Sequence, residues 1–381
     1  MAVVILIIVT LLAGYAFLIE NYRLWFLAIQ PFTSSEEVAP ALKFSVIIPA
    51  RDEEQIIASC LQSVLKQNYP ADLFEVIVID DHSTDNTAAI VQTLQKQYAN
   101  LCLIRLEKLL HGKQFNSYKK KAIENAIAHS SGDWIVTTDA DCIVPPGWLN
   151  TFNAFINNRN SVLVAAPVKF INVGSFVSVF QCLDFITLQG ITAAAVHHNF
   201  HSMCNGANLT YSKKVFIEVG GFAGIDNIAS GDDMLLMHKI YKKHPTQVNF
   251  LLTSNSVVET LPMPTWEAFF NQRIRWASKA DKYDDRRIFW VLVFVYVFNL
   301  SFIIVPVLSI WFSGLLLFWL AMLVAKTLIE LRFIYPVALF FKQQKLLWWF
   351  AVMQPVHILY TVCAGWLGKF GKYTWKGRIV K

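Results

Sequence analysis

The 381-residue chain has little charge: Asp, Glu, Lys and Arg make up 16% of it, against 55% hydrophobic residues. A soluble globular domain carries roughly 25% charged residues. Two stretches, Met1–Ile19 and Ile288–Ala325, hold none of the four charged types. The deficit therefore sits at the two ends, which argues against a chain that is soluble throughout and for membrane ends around a soluble middle. The six cysteines (Cys60, Cys102, Cys142, Cys182, Cys204 and Cys363) form no C-x-x-C pair. That argues against a zinc ribbon or a disulfide framework and fits reduced thiols. Internal repeats, low-complexity segments and DNA- or RNA-binding motifs are missing too. The net charge of +6 is modest, so nucleic acid is not an expected partner.

At 1.5 Å per residue, Met1–Ile19 is long enough to cross a hydrocarbon core of roughly 30 Å. It lacks a basic n-region and a small-x-small cleavage site, so an uncleaved anchor over residues 1–23 is expected rather than a signal peptide. Ile288–Ala325 would make a single helix of roughly 57 Å, too long for one crossing. Two crossings with a turn near Ser313-Gly314 fit better. Leu346–Gly368 is a third candidate, giving a membrane region over 288–368 with two to three spans, all taken as free of intramembrane charge. Arg23, Arg286 and Arg287 flank these segments and place the middle of the chain in the cytoplasm. The basic tail, residues 369–381, also favours the cytoplasm, yet one span before the middle and three after would leave it outside. Either Leu346–Gly368 is re-entrant around Pro355, or Phe333–Phe341 takes part in a crossing.

The middle, residues 40–287, alternates strand and helix signals. Phe44–Ala50, Glu75–Asp80, Leu101–Leu106 and Asp133–Thr138 are apolar, β-branched runs. Between them, Ile56, Ile57, Cys60, Leu61, Val64 and Leu65 share a helical face, and Thr87–Tyr98 and Ser117–His129 are helical in pattern. The alternation predicts an α/β domain with a mostly parallel sheet. In such sheets, ligands bind beyond the carboxyl ends of the strands. Three strands here end in polar clusters: Arg51-Asp52-Glu53, Asp80-Asp81-His82-Ser83 and Asp139-Ala140-Asp141. A lone Asp after a strand is usually a cap or turn residue; three clusters at one edge point to a ligand. Asp139 and Asp141, two residues apart, face one side of an extended segment. Such a pair suits Mg²⁺ or Mn²⁺, which take one or two carboxylates plus substrate phosphates.

Four blocks in order, FSVIIPARDEE, VIVIDDHSTDNT, TTDADC and QRIRW, together with SGDD at 230–233, resemble family 2 glycosyltransferases. The resemblance covers roughly Phe44 to Ala280 and implies a Rossmann-like glycosyltransferase-A fold in a membrane-associated enzyme. It implies that Asp81 meets the uracil of a UDP-sugar, with Arg51 and Glu53 in the first nucleotide-binding loop. Asp139 and Asp141 become the metal pair on the diphosphate. Asp233 becomes the catalytic base, and Gln272, Arg275 and Trp276 contact the diphosphate and the acceptor. Two positions depart from the family pattern. Asp232 replaces the Glu of the Glu-Asp pair, and Tyr118-Lys119 stands for a Gly-Lys. Lys119 remains a donor-phosphate candidate, with Gly112-Lys113 as the other choice.

Plainer readings compete at several positions. Trp276 could be an interfacial anchor, although the motif favours the active site. His197, His198 and His201 are more simply a membrane-proximal acceptor surface or a loop than a metal site. Lys119-Lys120-Lys121 is more simply a solvated face. Asn205-Gly206-Ala207-Asn208 resembles the family's acceptor-side segment. The expected protein is an integral membrane enzyme of the bacterial inner membrane, with a cytoplasmic catalytic domain and a divalent metal. It moves a sugar from a nucleotide-sugar donor to a lipid or glycan acceptor. A processive polysaccharide synthase is the alternative, and a non-catalytic binding protein a more distant one.

Overall fold

The computed structural model describes residues 2–33, 38–107, 117–200, 203–228, 231–279, 285–371, 373–375 and 378–380. Its central sheet has seven strands in the order β3-β2-β1-β4-β7-β5-β8. In chain order these are β1 (Phe44–Ala50), β2 (Phe74–Asp80), β3 (Leu101–Arg105), β4 (Trp134–Thr137), β5 (Leu163–Ala165), β7 (Leu209–Ser212) and β8 (Val248–Phe250). β6 (Val168–Phe170) and β9 (Val258–Thr260) form a small parallel pair beside it. β1, β2, β3 and β4 run parallel. β7 is antiparallel to both β4 and β5, a reversal that the alternating sequence pattern did not show.

The period-2 geometry of a strand explains why these runs are apolar throughout. Ile47, Ile77, Ile79 and Ile135 join the core on one face, with Ala122, Ile123, Ala126 and Ile127 of the Tyr118–His129 helix. Val46, Ile48, Val76, Val78 and Val136 join the other, with Cys60, Leu61 and Val64 of the Ile57–Leu65 helix. Ala50 pairs with Asp80, and Ile47 with Thr137. Parallel pairing thus brings all three polar clusters to one sheet edge.

Helices Ala2–Ala28, Arg286–Leu308 and Gly314–Phe340, with mean hydropathies of 2.9, 2.6 and 1.9, are long and apolar enough to cross a membrane. Large apolar side chains such as Leu6, Phe17, Trp290, Ile304, Leu317 and Val324 are exposed on them. The Phe176–His197 helix also meets that standard, yet 83% of its apolar window is buried inside the protein. It is a core helix packed against the sheet domain and the first helix, and its composition alone does not reveal this.

The two helices Arg286–Leu308 and Gly314–Phe340 form a hairpin, tied by a Trp319 Nε1 hydrogen bond to the Phe302 carbonyl (2.9 Å). The second returns to the sheet domain, where Gln343 donates to the Phe170 carbonyl (2.9 Å). Phe333–Phe340 is therefore the last part of the long Gly314–Phe340 helix, with Phe341 at its C-cap. The Phe350–Phe370 helix behaves differently. Trp349, just before it, packs edge-on against Phe176, and Tyr360 hydrogen-bonds Asp184. At its far end Gly368 lies so near Ala277 that a Cβ would come within 2.7 Å. Start, middle and end of this helix all touch the sheet domain, so it runs along the domain instead of leading away from it.

One expectation is corrected. The spans were taken as free of intramembrane charge, but Lys326 and Glu330 lie in the Gly314–Phe340 helix, 0% and 8% exposed. They pair at 2.6 Å, with Gln354 bridging them and Tyr15 donating to Glu330. Counting apolar residues ends the span at Ala325. The chain instead continues through a charged pair at i,i+4 spacing, neutralised on the inner face of the helix bundle.

Candidate active site

A polar cleft of about 260 Å³ opens at the carboxyl edge of β1, β2 and β4. Every residue given a role from the sequence lines it: Arg51, Glu53, Asp81, Lys119, Asp139, Asp141, Asp233, Gln272, Arg275 and Trp276.

The first two strand-end loops are zipped together. Asp52 accepts from Thr84 N at 2.8 Å, Glu53 N donates to Thr87 Oγ1 at 2.8 Å, and Glu54 accepts from Asn86 N at 3.0 Å. Asp52 and His82 hold φ of 51° and 58°, left-handed values that are uncommon outside glycine. Asp52 and Glu54 thus serve the loops, leaving Arg51, Glu53 and Asp81 facing the cleft. Arg51 Nη1 donates to the Asp81 carbonyl at 3.0 Å, and Asp81 Oδ1 meets His82 Nδ1 at 2.9 Å.

Lys119 links two acidic groups. Its ammonium donates to Asp139 Oδ1 at 2.7 Å and lies 3.4 Å from Asp232 Oδ2. Burial alone would lower its pKa; Asp139 and then Asp232 outweigh it and hold the pKa raised. Burial works on Asp232 in the opposite sense, but Lys119 and then Lys279 keep this carboxyl below its usual range. Asp141 differs: burial and the neighbouring Asp139 both push it up. Burial is the larger of the two causes, and a second carboxylate nearby adds to it in the same sense. Among the described residues, no three His, Cys, Asp or Glu side chains converge as a metal cluster. Two carboxylates lining one polar cleft fit a divalent ion whose remaining ligands come from a diphosphate and water.

Asp233 caps the Met234–Lys243 helix. Its Oδ1 accepts from Met234 N at 2.7 Å and its Oδ2 from Gly206 N at 3.0 Å. Gly206 belongs to the Asn205–Asn208 segment, which is thereby brought to the same site. Gly231, at φ +80°, makes the turn that aims Asp232 and Asp233 into the cleft. Ser230 of that block, His201 and Gly112-Lys113 lie outside the described residues. His197 ends the Phe176–His197 helix rather than lying in a loop, and His198, its C-cap, stacks on Trp25 at 4.3 Å. Lys120 is 1% exposed and donates to the carbonyls of Ile225 and Ile228 (2.7 and 2.6 Å), so it is an internal tie and not a solvated face.

Gln272, Arg275 and Trp276 sit on the Trp266–Ala277 helix. Lys279, just beyond it, also lines the cleft and was missed from the sequence. The signal was there, since 272, 275, 276 and 279 continue one i, i+3, i+4, i+7 face. Burial lowers the Lys279 pKa, with Asp233 pulling the other way. Arg273 was missed as well. It is 4% exposed, pairs with Asp184 at 2.6 Å, and places its guanidinium 4.1 Å from the centre of the Trp276 ring. Its partner is 89 positions away, beyond the reach of local pattern.

A second hollow, of about 1230 Å³, lies between the sheet domain and the long apolar helices. Asn205, Asp233, Trp276 and Lys279 line both hollows.

Residues 45–226 match the family model for glycosyl transferase family 2. The chain is 32% identical over 256 residues to a beta-monoglucosyldiacylglycerol synthase of Synechocystis sp., covering 65% of this chain and 49% of that one. It is 25% identical over 240 residues to the probable glycosyltransferase YdaM of Bacillus subtilis, covering 62% and 54%. It therefore spans about half the length of these two relatives. Among solved structures, the mannosyltransferase PcManGT of Pyrobaculum calidifontis, in complex with GDP-Man and Mn²⁺, matches with a TM-score of 0.58 at 18% identity, over 94% of this chain and 98% of that one. This last likeness is one of fold. The sheet with its acidic carboxyl edge, matched over residues 45–226, is a family 2 glycosyltransferase domain of the glycosyltransferase-A fold.

Proposed function

We propose that the protein is an inverting glycosyltransferase that moves a sugar from a UDP-linked donor to a lipid acceptor at the cytoplasmic face of a bacterial inner membrane. The observation that carries this reading is the position of Asp233, whose residue borders the polar cleft on one side and the apolar hollow on the other. The polar side suits a nucleotide-sugar, and the apolar side a lipid.

In this reading Asp81 and Arg51 hold the nucleoside, with Glu53 beside them. Lys119 and Arg275 meet the diphosphate, where negative charge grows as the donor breaks. Gln272 and Trp276 border the transferred sugar. Asp139 and Asp141 would hold a Mg²⁺ or Mn²⁺ ion, which when bound neutralises diphosphate charge. The acceptor hydroxyl oxygen forms its bond to the anomeric carbon from the face opposite the diphosphate. The carbon–oxygen bond to the diphosphate breaks and its electron pair leaves with the nucleotide. The hydroxyl proton passes to the Asp233 carboxylate. Backbone donors from Gly206 and Met234 fix that carboxylate. One displacement inverts the anomeric centre.

The topology is part of the proposal. Ala2–Ala28 and the two helices of the hairpin cross, while Phe350–Phe370 lies at the interface against the sheet domain. Three crossings put the basic tail on the same side as the catalytic domain, which removes the parity conflict in the sequence. The Synechocystis relative, named for a glucosylated diacylglycerol, supports a lipid product.

The test uses membranes containing the protein, a panel of radiolabelled nucleotide sugars and Mg²⁺ or Mn²⁺, followed by organic extraction. Label in the lipid extract is expected. Label solely in insoluble polymer would overturn the lipid acceptor in favour of a polysaccharide synthase.

A further inference from the structure

The hollow beside Asp233, at about 1230 Å³, is larger than the ~300–1,000 Å³ of a pocket for a drug-sized ligand. A single sugar acceptor would leave most of it empty. Its walls include Tyr15, Leu18 and Tyr22 of the first helix, the buried Phe176–His197 helix, Leu292 and Val295 of the hairpin, Met353 through Phe370 of the interfacial helix, and Arg273 and Trp276 of the Trp266–Ala277 helix. Most of these side chains are apolar. Leu292 and Phe370, which border it, are 42% and 69% exposed on helices that carry lipid-facing residues. One end therefore faces Asp233 and Lys279, and another lies among helices built for the bilayer.

The wall is not uniformly apolar. Asp184, Arg273, Tyr360, His357, Gln354 and Glu330 follow one another along it. Tyr360 bonds Asp184, Arg273 pairs with Asp184, and the His357 and Tyr360 rings meet edge-on at 5.3 Å. The track begins beside Trp276 in the sheet domain and ends at Glu330 on the Gly314–Phe340 helix, where a carboxylate among membrane-length helices is costly and marks a ligand path more often than a structural accident.

We infer that this hollow is a lipid site, and that its occupant is a membrane lipid with two acyl chains and a free hydroxyl on a polar, ester-bearing backbone. Its capacity agrees. A methylene takes about the volume of a water molecule, ~30 Å³, so the hollow holds roughly forty such groups, the size of two acyl chains with their glycerol. The polar track gives the ester groups hydrogen-bonding neighbours, whereas a polyisoprenoid chain offers it nothing. Resting on the function proposed above, the lipid's hydroxyl lies at Asp233 and is the acceptor.

The experiment places the full chain in phosphatidylglycerol–phosphatidylethanolamine vesicles with a diacylglycerol that carries a diazirine on one acyl chain. Illumination is followed by mapping of the labelled residues. Leu188→Trp and Thr361→Trp put bulk into the hollow from half-buried positions on two of its walls. Val324→Trp puts the same bulk on an exposed face outside it. The expected result is label on residues lining the hollow, reduced at least fivefold by the first two variants and unchanged by the third. Nucleotide-sugar binding should be retained in all three, which reports on folding. Transfer to lipid should fall at least tenfold in the first two alone. Label confined to the outer helix faces, or unaffected by both filling variants, overturns the lipid site. Label displaced by polyprenyl phosphate but not by unlabelled diacylglycerol overturns the two-chain occupant. Label within the hollow with no lipid product keeps the lipid site and overturns the acceptor role proposed above.

Discussion

The two hollows of this protein share a wall and are built in opposite ways. The polar cleft is made from loops that follow strands, and each loop brings its chemistry in a few consecutive residues. The apolar hollow is made from helices far apart in the chain, and no single stretch carries it. Arg273 joins the two: one side of its guanidinium pairs with Asp184 beside the hollow, and the other faces the Trp276 ring at the cleft. Chemistry that depends on a local cluster of charges is written locally. A space that admits a long flexible molecule needs surfaces from many elements.

Four experiments would break or sharpen this contrast. The largest effect is expected at the shared residue. Asp233→Asn should lower sugar transfer by roughly 10²–10⁴-fold, the usual contribution of a general base, while nucleotide-sugar binding by calorimetry stays within about twofold. Transfer at a near-normal rate would remove Asp233 as the base.

Next comes the wall between the hollows. Arg273→Met leaves Asp184 buried without its cation and should cost about 3–5 kcal/mol in unfolding stability. The double variant Arg273→Met, Asp184→Leu should recover most of that loss. If the two single losses simply add, the pair is not the linkage described here.

A smaller effect is expected inside the cleft. Lys119 hydrogen-bonds a carboxylate assigned to a metal ion, and removal of such a partner typically costs about 10–100-fold in metal affinity. Lys119→Gln should shift the Mn²⁺ concentration for half-maximal donor binding upward by that factor. An unchanged titration would separate Lys119 from the metal pair.

The smallest effect concerns pH. Burial pushes the Lys120 pKa down to about 8, below the ~10.4 of an unfolded chain. Between those values the unfolded state binds more protons, so stability should rise with pH across that window. Thermal unfolding from pH 7.5 to 10 should show the rise in the native protein and a flatter profile in Lys120→Met. Equal slopes would mean that Lys120 stays charged in the fold.

Much of the cleft was legible in the sequence because its signals are local. FSVIIPARDEE, VIVIDDHSTDNT and TTDADC each hold a buried strand and the polar residues that follow it. Parallel pairing then forces those residues to one edge. Lys279 continued a helical face already noted and needed only one more turn of the same count. The Asp184–Arg273 and Tyr15–Glu330 contacts were not legible, because they join positions 89 and 315 residues apart. Nothing in either neighbourhood marks the partner. The charge within the Gly314–Phe340 helix was misjudged for a related reason. Lys326 and Glu330 end a run of apolar residues on paper, but in the fold they neutralise each other and the helix continues.

The sequence by itself determined the alternation of strand faces, the acidic loops at the strand ends and the presence of apolar helices at both ends of the chain. These follow from side-chain period and transfer cost, which each segment carries alone. Tertiary structure decided what the apolar helices face. Phe176–His197 and Gln344–Phe370 have composition enough to span a membrane, yet 83% of the first's apolar window is buried in the core, while the second touches the sheet domain and keeps most of its window, all but 28%, uncovered by protein. Apolar surface is removed from water equally well by lipid or by protein, so hydropathy cannot distinguish the two. The partners that cover each helix make that choice, and with it the hollow that meets the cleft at Asp233.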